Sequence, residues 1–195
     1  MKKKVNSILF LILLSGLSIL FPQEKSTELY LGLNFINNIN NNTFDKFWSK
    51  SPAFGLNLSA KEDIGEFGFG FNLAKFNKKI ASTENFYGVD FYFLYKYQIE
   101  IFNDFNLVAK INTGLFEFRF TELDLSSTND AGEVEREFFI KYLLGFSYSF
   151  SQNWQAEILS SFQKIYTRKT IDFINLEMGL KYKFNSPDWL EEFFN

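Results

Sequence analysis

The chain contains no cysteine and no histidine. Without thiols there is no disulfide, no thiolate nucleophile, no lipid attached through cysteine and no cysteine-based metal site. Without imidazole there is no histidine general base and no histidine-ligated metal. No long apolar run follows residue 21, and there is no excess of basic residues. The formal net charge of −3 argues against nucleic acid as a partner, because phosphate binding needs a basic face.

What is present is unusual. The 195 residues, enough for one domain, include 27 Phe and 9 Tyr. Aromatics make up 20% of the chain, yet Asp, Glu, Lys and Arg still contribute 22%. Apolar and charged residues must therefore be finely interleaved. Interleaving at a spacing of two is strand patterning.

The N-terminus reads as an address. Lys2, Lys3 and Lys4 precede an apolar stretch from Ser7 to Phe21, followed by polar Gln23, Glu24 and Lys25. A basic start and an apolar run of secretory length predict a signal peptide over residues 1–22. A retained N-terminal membrane anchor is the alternative, although the run falls short of the ~20 residues a spanning helix needs. No A-x-A pattern marks the cleavage point, and processing after Ser18 or near Pro22 both fit. Losing those three lysines from the 20 basic residues leaves 17 against 23 acidic ones, a net charge of −6.

Eight period-2 segments follow, over residues 28–36, 53–61, 66–76, 86–101, 105–122, 138–150, 154–166 and 171–184. In the third, Phe67, Phe69, Phe71 and Leu73 alternate with Gly68, Gly70, Asn72 and Ala74. In the eighth, Ile174, Leu176, Met178, Leu180, Tyr182 and Phe184 alternate with Asn175, Glu177, Gly179, Lys181 and Lys183. The fifth begins with Leu107, Ala109, Ile111 and Leu115 on its apolar face. It then changes phase to Phe116, Phe118 and Phe120, with Glu117 and Arg119 opposite. A β-bulge near Leu115 produces such a shift, and two shorter strands are the alternative. Most segments reach the ~9–11 residues a tilted membrane strand requires.

The connections alternate in length. Residues 62–65, 103–104 and 151–153 are tight, turn-forming joins, whereas the other side carries the longer polar stretches 36–52, 77–85 and 126–137 and a shorter join at 167–170. Short turns at one end and longer loops at the other is the asymmetry of outer-membrane barrels. These features predict an all-β fold, a single closed antiparallel up-and-down transmembrane β-barrel of about eight strands over residues 23–184. The alternative is a soluble lipocalin-like barrel with its apolar face inside. The outward choice rests on the Gly, Ser, Asn and charged residues of the polar face, which suit a narrow lumen. It rests also on aromatics gathered at the segment ends, among them Phe102, Phe105, Phe150, Trp154, Tyr182 and Phe184, as in a membrane-interface girdle.

The last segment carries a further signal. Glu177, Gly179, Tyr182 and Phe184 are spaced as a polar residue, a glycine and two aromatic positions ending the final strand. This resembles the β-signal of outer-membrane barrels. With the export signal and eight segments, residues 27–184 resemble the small outer-membrane β-barrel family of the OmpA, OmpX and OmpW type. The resemblance implies outer-membrane lipid around the barrel and recognition of the last strand by the barrel-assembly machinery. One departure is that 11 residues follow Phe184. In this 185–195 tail, Ser186, Pro187 and Asp188 suit a helix start, so a short amphipathic helix and a frayed end are both open.

On the polar face, Asp90, Lys96, Glu100, Lys110, Glu117, Arg119, Lys141, Glu157 and Lys181 are the candidate lumen charges, with Lys61, Lys164, Glu177 and Lys183. Either they line a conduit or they interlock as a plug. About eight strands leave an interior just filled by side chains, which favours the plug, as do Tyr92, Leu94, Leu143 and Leu159 on the same face. Asp124, Asp130, Glu133, Glu135 and Glu137 share one loop, but their spacing fits no metal loop, and no cofactor is expected. Enzymes of this barrel shape mostly use histidine with Ser or Asp, so an enzyme is not expected either. A structural or binding barrel is the leading reading, with a narrow channel or carrier for small apolar molecules as the alternative.

Overall fold

The computed structural model describes residues 28–39, 44–120 and 134–185. The signal-peptide segment 1–22, all of the tail but Asn185, and the acidic-loop residues Asp124, Asp130 and Glu133 lie outside the described residues. Within them the chain forms nine antiparallel strands and a single 3-10 turn at Phe44–Lys46. The strands are β1 Glu28–Asn38, β2 Trp48–Lys50, β3 Ala53–Glu62, β4 Gly65–Lys78, β5 Phe86–Phe102, β6 Phe105–Phe120, β7 Val134–Ser149, β8 Trp154–Ile165 and β9 Ile171–Asn185.

They pair in the order β2-β4-β3-β1-β9-β8-β7-β6-β5, and β4 also pairs with β5, which closes the ring. The three-residue β2 continues β3 along β4: Lys50 faces Phe76, and Phe54 faces Leu73. The two pieces are separated at Ser51 and Pro52, where proline has no amide to give to the ladder. The ring therefore has eight staves. Asn103 and Asp104 join β5 to β6 with φ of 37° and 65°, the two left-handed residues of a type I′ hairpin turn, whose twist matches that of the strands.

Closure into eight staves makes a narrow bore, and the strands approach one another closely. A Cβ on Gly114 would collide with the Phe91 carbonyl oxygen and lie 2.8 Å from Tyr92 Cα. Gly114→Ala is expected to destabilise the barrel by about 1–3 kcal/mol through overpacking, measured by urea unfolding of the refolded protein. Gly179→Ala, whose Cβ would meet nothing nearer than Asn34 Oδ1 at 3.1 Å, is the milder control.

The wall sorts its side chains by parity. Outward-facing residues are apolar and exposed, as with Phe54 at 64%, Leu144 at 60% and Ile158 at 58%. Inward-facing neighbours such as Asn57, Asp90, Lys141 and Glu157 are buried. The Phe-rich face thus points away from the bore, the reverse of a lipocalin-like barrel. An exposed apolar band of this extent requires a non-aqueous surrounding.

Candidate functional site: the bore and its outer rim

The inward face builds three zones, running from the short-turn end to the long-loop end. The first is a box of four charges. Glu66 on β4 and Lys96 on β5 are register neighbours, and Glu157 and Lys181 come from β8 and β9. Lys96 Nζ lies 2.7 Å from Glu157 Oε1 and 3.0 Å from Glu66 Oε2, and it donates to Gln155 Oε1 at 3.1 Å. Lys181 bridges Glu66 and approaches Glu157 at 3.5 Å. Ser59 donates to the same Glu66 carboxylate. Strands β5 and β8 are separated in the ring by β6 and β7, and β4 and β9 by β3 and β1, so these contacts cross the bore.

A second polar layer lies further in. Lys141 Nζ is 3.2 Å from Glu177 Oε1 and 3.8 Å from Asp90 Oδ2. Ser161 donates to Glu177 at 2.6 Å, and Asn72 donates to Asp90 at 3.1 Å. Lys110 and the buried Val108, Leu143 and Leu159 occupy the bore with these layers. The buried charges of the bore balance, with four lysines (96, 110, 141, 181) against four carboxylates (66, 90, 157, 177); a fifth buried carboxylate, Glu117, lies on the outer wall. Burial without pairing would cost several kcal/mol per ion, and Lys96, Lys141 and Lys181 each form an ion pair with a carboxylate.

Towards the long loops the interior becomes aromatic. Phe76 and Phe86 stack with centroids 4.4 Å apart and planes within 7°. Phe116, Phe118, Phe139 and Phe173 complete the cluster. From the first long loop Phe44 packs edge-on against Phe76, Phe86 and Phe173 at 5.6, 6.1 and 5.5 Å. Trp48 stacks on Phe44 at 4.8 Å, and its indole N–H donates to the Glu84 carbonyl at 2.7 Å. Lys50 places its ammonium 4.5 Å from the Phe173 ring centroid. A cavity of about 10 Å³ beside Lys50, Asp90, Lys141 and Phe116 has room for about one water molecule.

Of the expected lumen charges, the structure brings Lys96, Glu157 and Lys181 into one cluster and Asp90, Lys141 and Glu177 into another. Lys110 is buried inside the ring, and Glu100 is exposed at the turn end of β5. Three expectations are overturned: Glu117 and Arg119 do not face the bore, Lys164 does not face it either, and there is no bulge near Leu115. The β5–β6 register runs unbroken from Phe86↔Phe120 to Glu100↔Asn106, and its one irregularity falls between Glu100 and Phe102 beside the turn. Phe116 and Phe118 consequently point inward, where Gly88 makes room: a Cβ there would lie 2.5 Å from the Phe116 ring. Glu117 and Arg119 are left on the outer wall. Lys164 is also outward, 5.9 Å from the Tyr166 ring centroid. The aromatic zone and the outer-wall charges were therefore missed together.

In the last strand Glu177 faces the bore, whereas Tyr182 lies outward, 4.9 Å from Trp154 and 6.3 Å from Phe184. Among the described residues no group of His, Cys, Asp or Glu is arranged to hold a metal ion.

A closed eight-staved meander with an apolar exterior and a filled bore defines a class: the small transmembrane β-barrels, which cross lipid with strands. The chain is similar in structure to Neisserial surface protein A, with a TM-score of 0.61 and 10% identity over 82% of this chain and 98% of that one. It is also similar to outer membrane protein H of P. aeruginosa, solved in DHPC micelles, with a TM-score of 0.50 and 12% identity over 80% and 99% of the two chains. At these identities the likeness is one of fold. No family model and no curated protein sequence matches the chain.

Proposed function

We propose that this chain is an outer-membrane barrel with a structural or binding role, whose bore is plugged and whose exterior does the work. The observation that carries the reading is the stacking of two obstructions in one narrow bore. Salt-bridged layers fill the short-turn end, and rings from five staves, with Phe44 and Trp48 folded in, fill the other. Ions would have to break buried pairs and then displace aromatic rings. On this reading residues 1–22 direct export. Glu177, Gly179, Tyr182 and Phe184 are the strand read by the assembly machinery, a role supported by their place on the ring's last strand.

Planar-bilayer recording tests the proposal. The full chain, refolded and shown to be heat-modifiable on a detergent gel, is expected to give no single-channel steps. Reproducible steps would overturn the plug and favour the narrow-channel alternative.

A further inference from the structure

The outer wall is electrically lopsided. At its short-turn end the outward-facing residues include Tyr97, Ile99, Tyr148, Trp154 and Tyr182, and no lysine or arginine among the described residues. All outward-facing strand cations, Lys75, Arg119, Arg136 and Lys164, sit at the long-loop end.

Three of them fall on a grid set by the strand register across β4–β7. One row, Phe71, Phe91, Leu115 and Phe138, is wholly apolar. The next is Leu73, Val89, Glu117 and Arg136, and the next Lys75, Tyr87, Arg119 and Val134. Same-face rows are about 7 Å apart along a strand. The cations therefore begin one step beyond the apolar belt, comparable with the ~5–8 Å depth of the polar zone on each side of the hydrocarbon core. Glu117 ties the patch together, accepting from Arg136 Nε at 2.6 Å and from Arg119 Nη2 at 2.6 Å. Two arginines share one carboxylate, Lys75 stands in the Arg119 row one strand beyond Tyr87, and the two arginine side chains remain 51% and 64% exposed.

We propose that this patch binds the phosphate-bearing headgroup of a lipid in the outer leaflet. The Arg119 and Arg136 guanidiniums present planar forks suited to phosphate oxygens, and Lys75 adds a point charge. Tyr87 lies at the interface between them, and the Phe71–Phe138 row takes the acyl chains below. The proposal rests on the barrel being membrane-embedded, as read above. If that reading fails, the protein will not stay with vesicles at all, which separates the two failures.

The test compares spin-labelled phosphatidic acid with spin-labelled phosphatidylcholine at the surface of the full chain in phosphatidylcholine vesicles. The unaltered protein is expected to prefer the phosphatidic acid about fivefold, as two exposed charge contacts allow. R119Q/R136Q should bring the preference close to unity, whereas K46Q/K78Q, two charges off this wall, should leave it unchanged. If the double variant loses heat-modifiability, R136Q alone reads the same effect at smaller size. An unchanged preference in the arginine variants would overturn the proposal, as would an equal loss in K46Q/K78Q. So would abolition by inorganic phosphate but not by chloride at equal ionic strength, which would mark a site for free anions.

Discussion

Lys96→Met is expected to destabilise the folded barrel by about 3–5 kcal/mol, the usual cost of deleting one partner from a buried ion pair. Lys96 is 1% exposed and is shared by Glu66, Glu157 and Gln155. Methionine keeps the bulk and removes the charge, so Glu66 and Glu157 are left with Lys181 between them. The cost is that of an uncompensated carboxylate in a dry bore. Adding Glu157→Met restores the count, with Lys181 then facing Glu66 alone, and should recover more than half of the loss. Urea midpoints of the single and double variants, read by the heat-modifiable band, make the comparison. A double variant no better than K96M would mean that packing, not charge pairing, sets the stability of this zone.

The other large effect lies at the opposite end of the bore. Phe86→Ala is expected to cost about 3–5 kcal/mol, as for other buried Phe truncations. The ring is 1% exposed, stacks on Phe76 and touches Trp48, Phe118 and Phe120 at 5.7, 5.5 and 5.4 Å between centroids. Its removal opens a void that the closed wall has little freedom to collapse. Urea unfolding of F86A checks this, and a loss under about 1 kcal/mol would show that the aromatic zone is not close-packed.

The strands were legible because lipid and bore differ sharply, so alternation at period two survives along each stave. Predicted starts at residues 53, 86, 105, 154 and 171 coincide with those of β3, β5, β6, β8 and β9. Alternation does not say what surrounds an apolar residue. Phe116 and Phe118 in the bore have the same periodicity signal as Phe91 at the lipid, and a shift from one to the other looks like a bulge. Glu117 and Arg119 were read inward because a charge on a lipid-facing wall is costly. The clue against that was length: a 16-residue β6 outruns the ~9–11 residues that lipid covers, so part of its outer face stands in water. The pairing of bore charges was not legible, because Lys96 meets Glu157 from 61 positions away and Lys181 meets Glu66 from 115.

The barrel's two sets of charges also live under different electrostatic laws. Inside, four buried lysines and four buried carboxylates cancel within a space that holds little water, so counter-ions have little reason and little room to enter. The Debye length of about 8 Å at physiological ionic strength is a property of the surrounding electrolyte and has no hold on those pairs. The arginines of the outer wall stand in that electrolyte, and their reach shortens as it thickens. A saltier environment therefore leaves the scaffold as firm as before while loosening its grip on whatever lies against it.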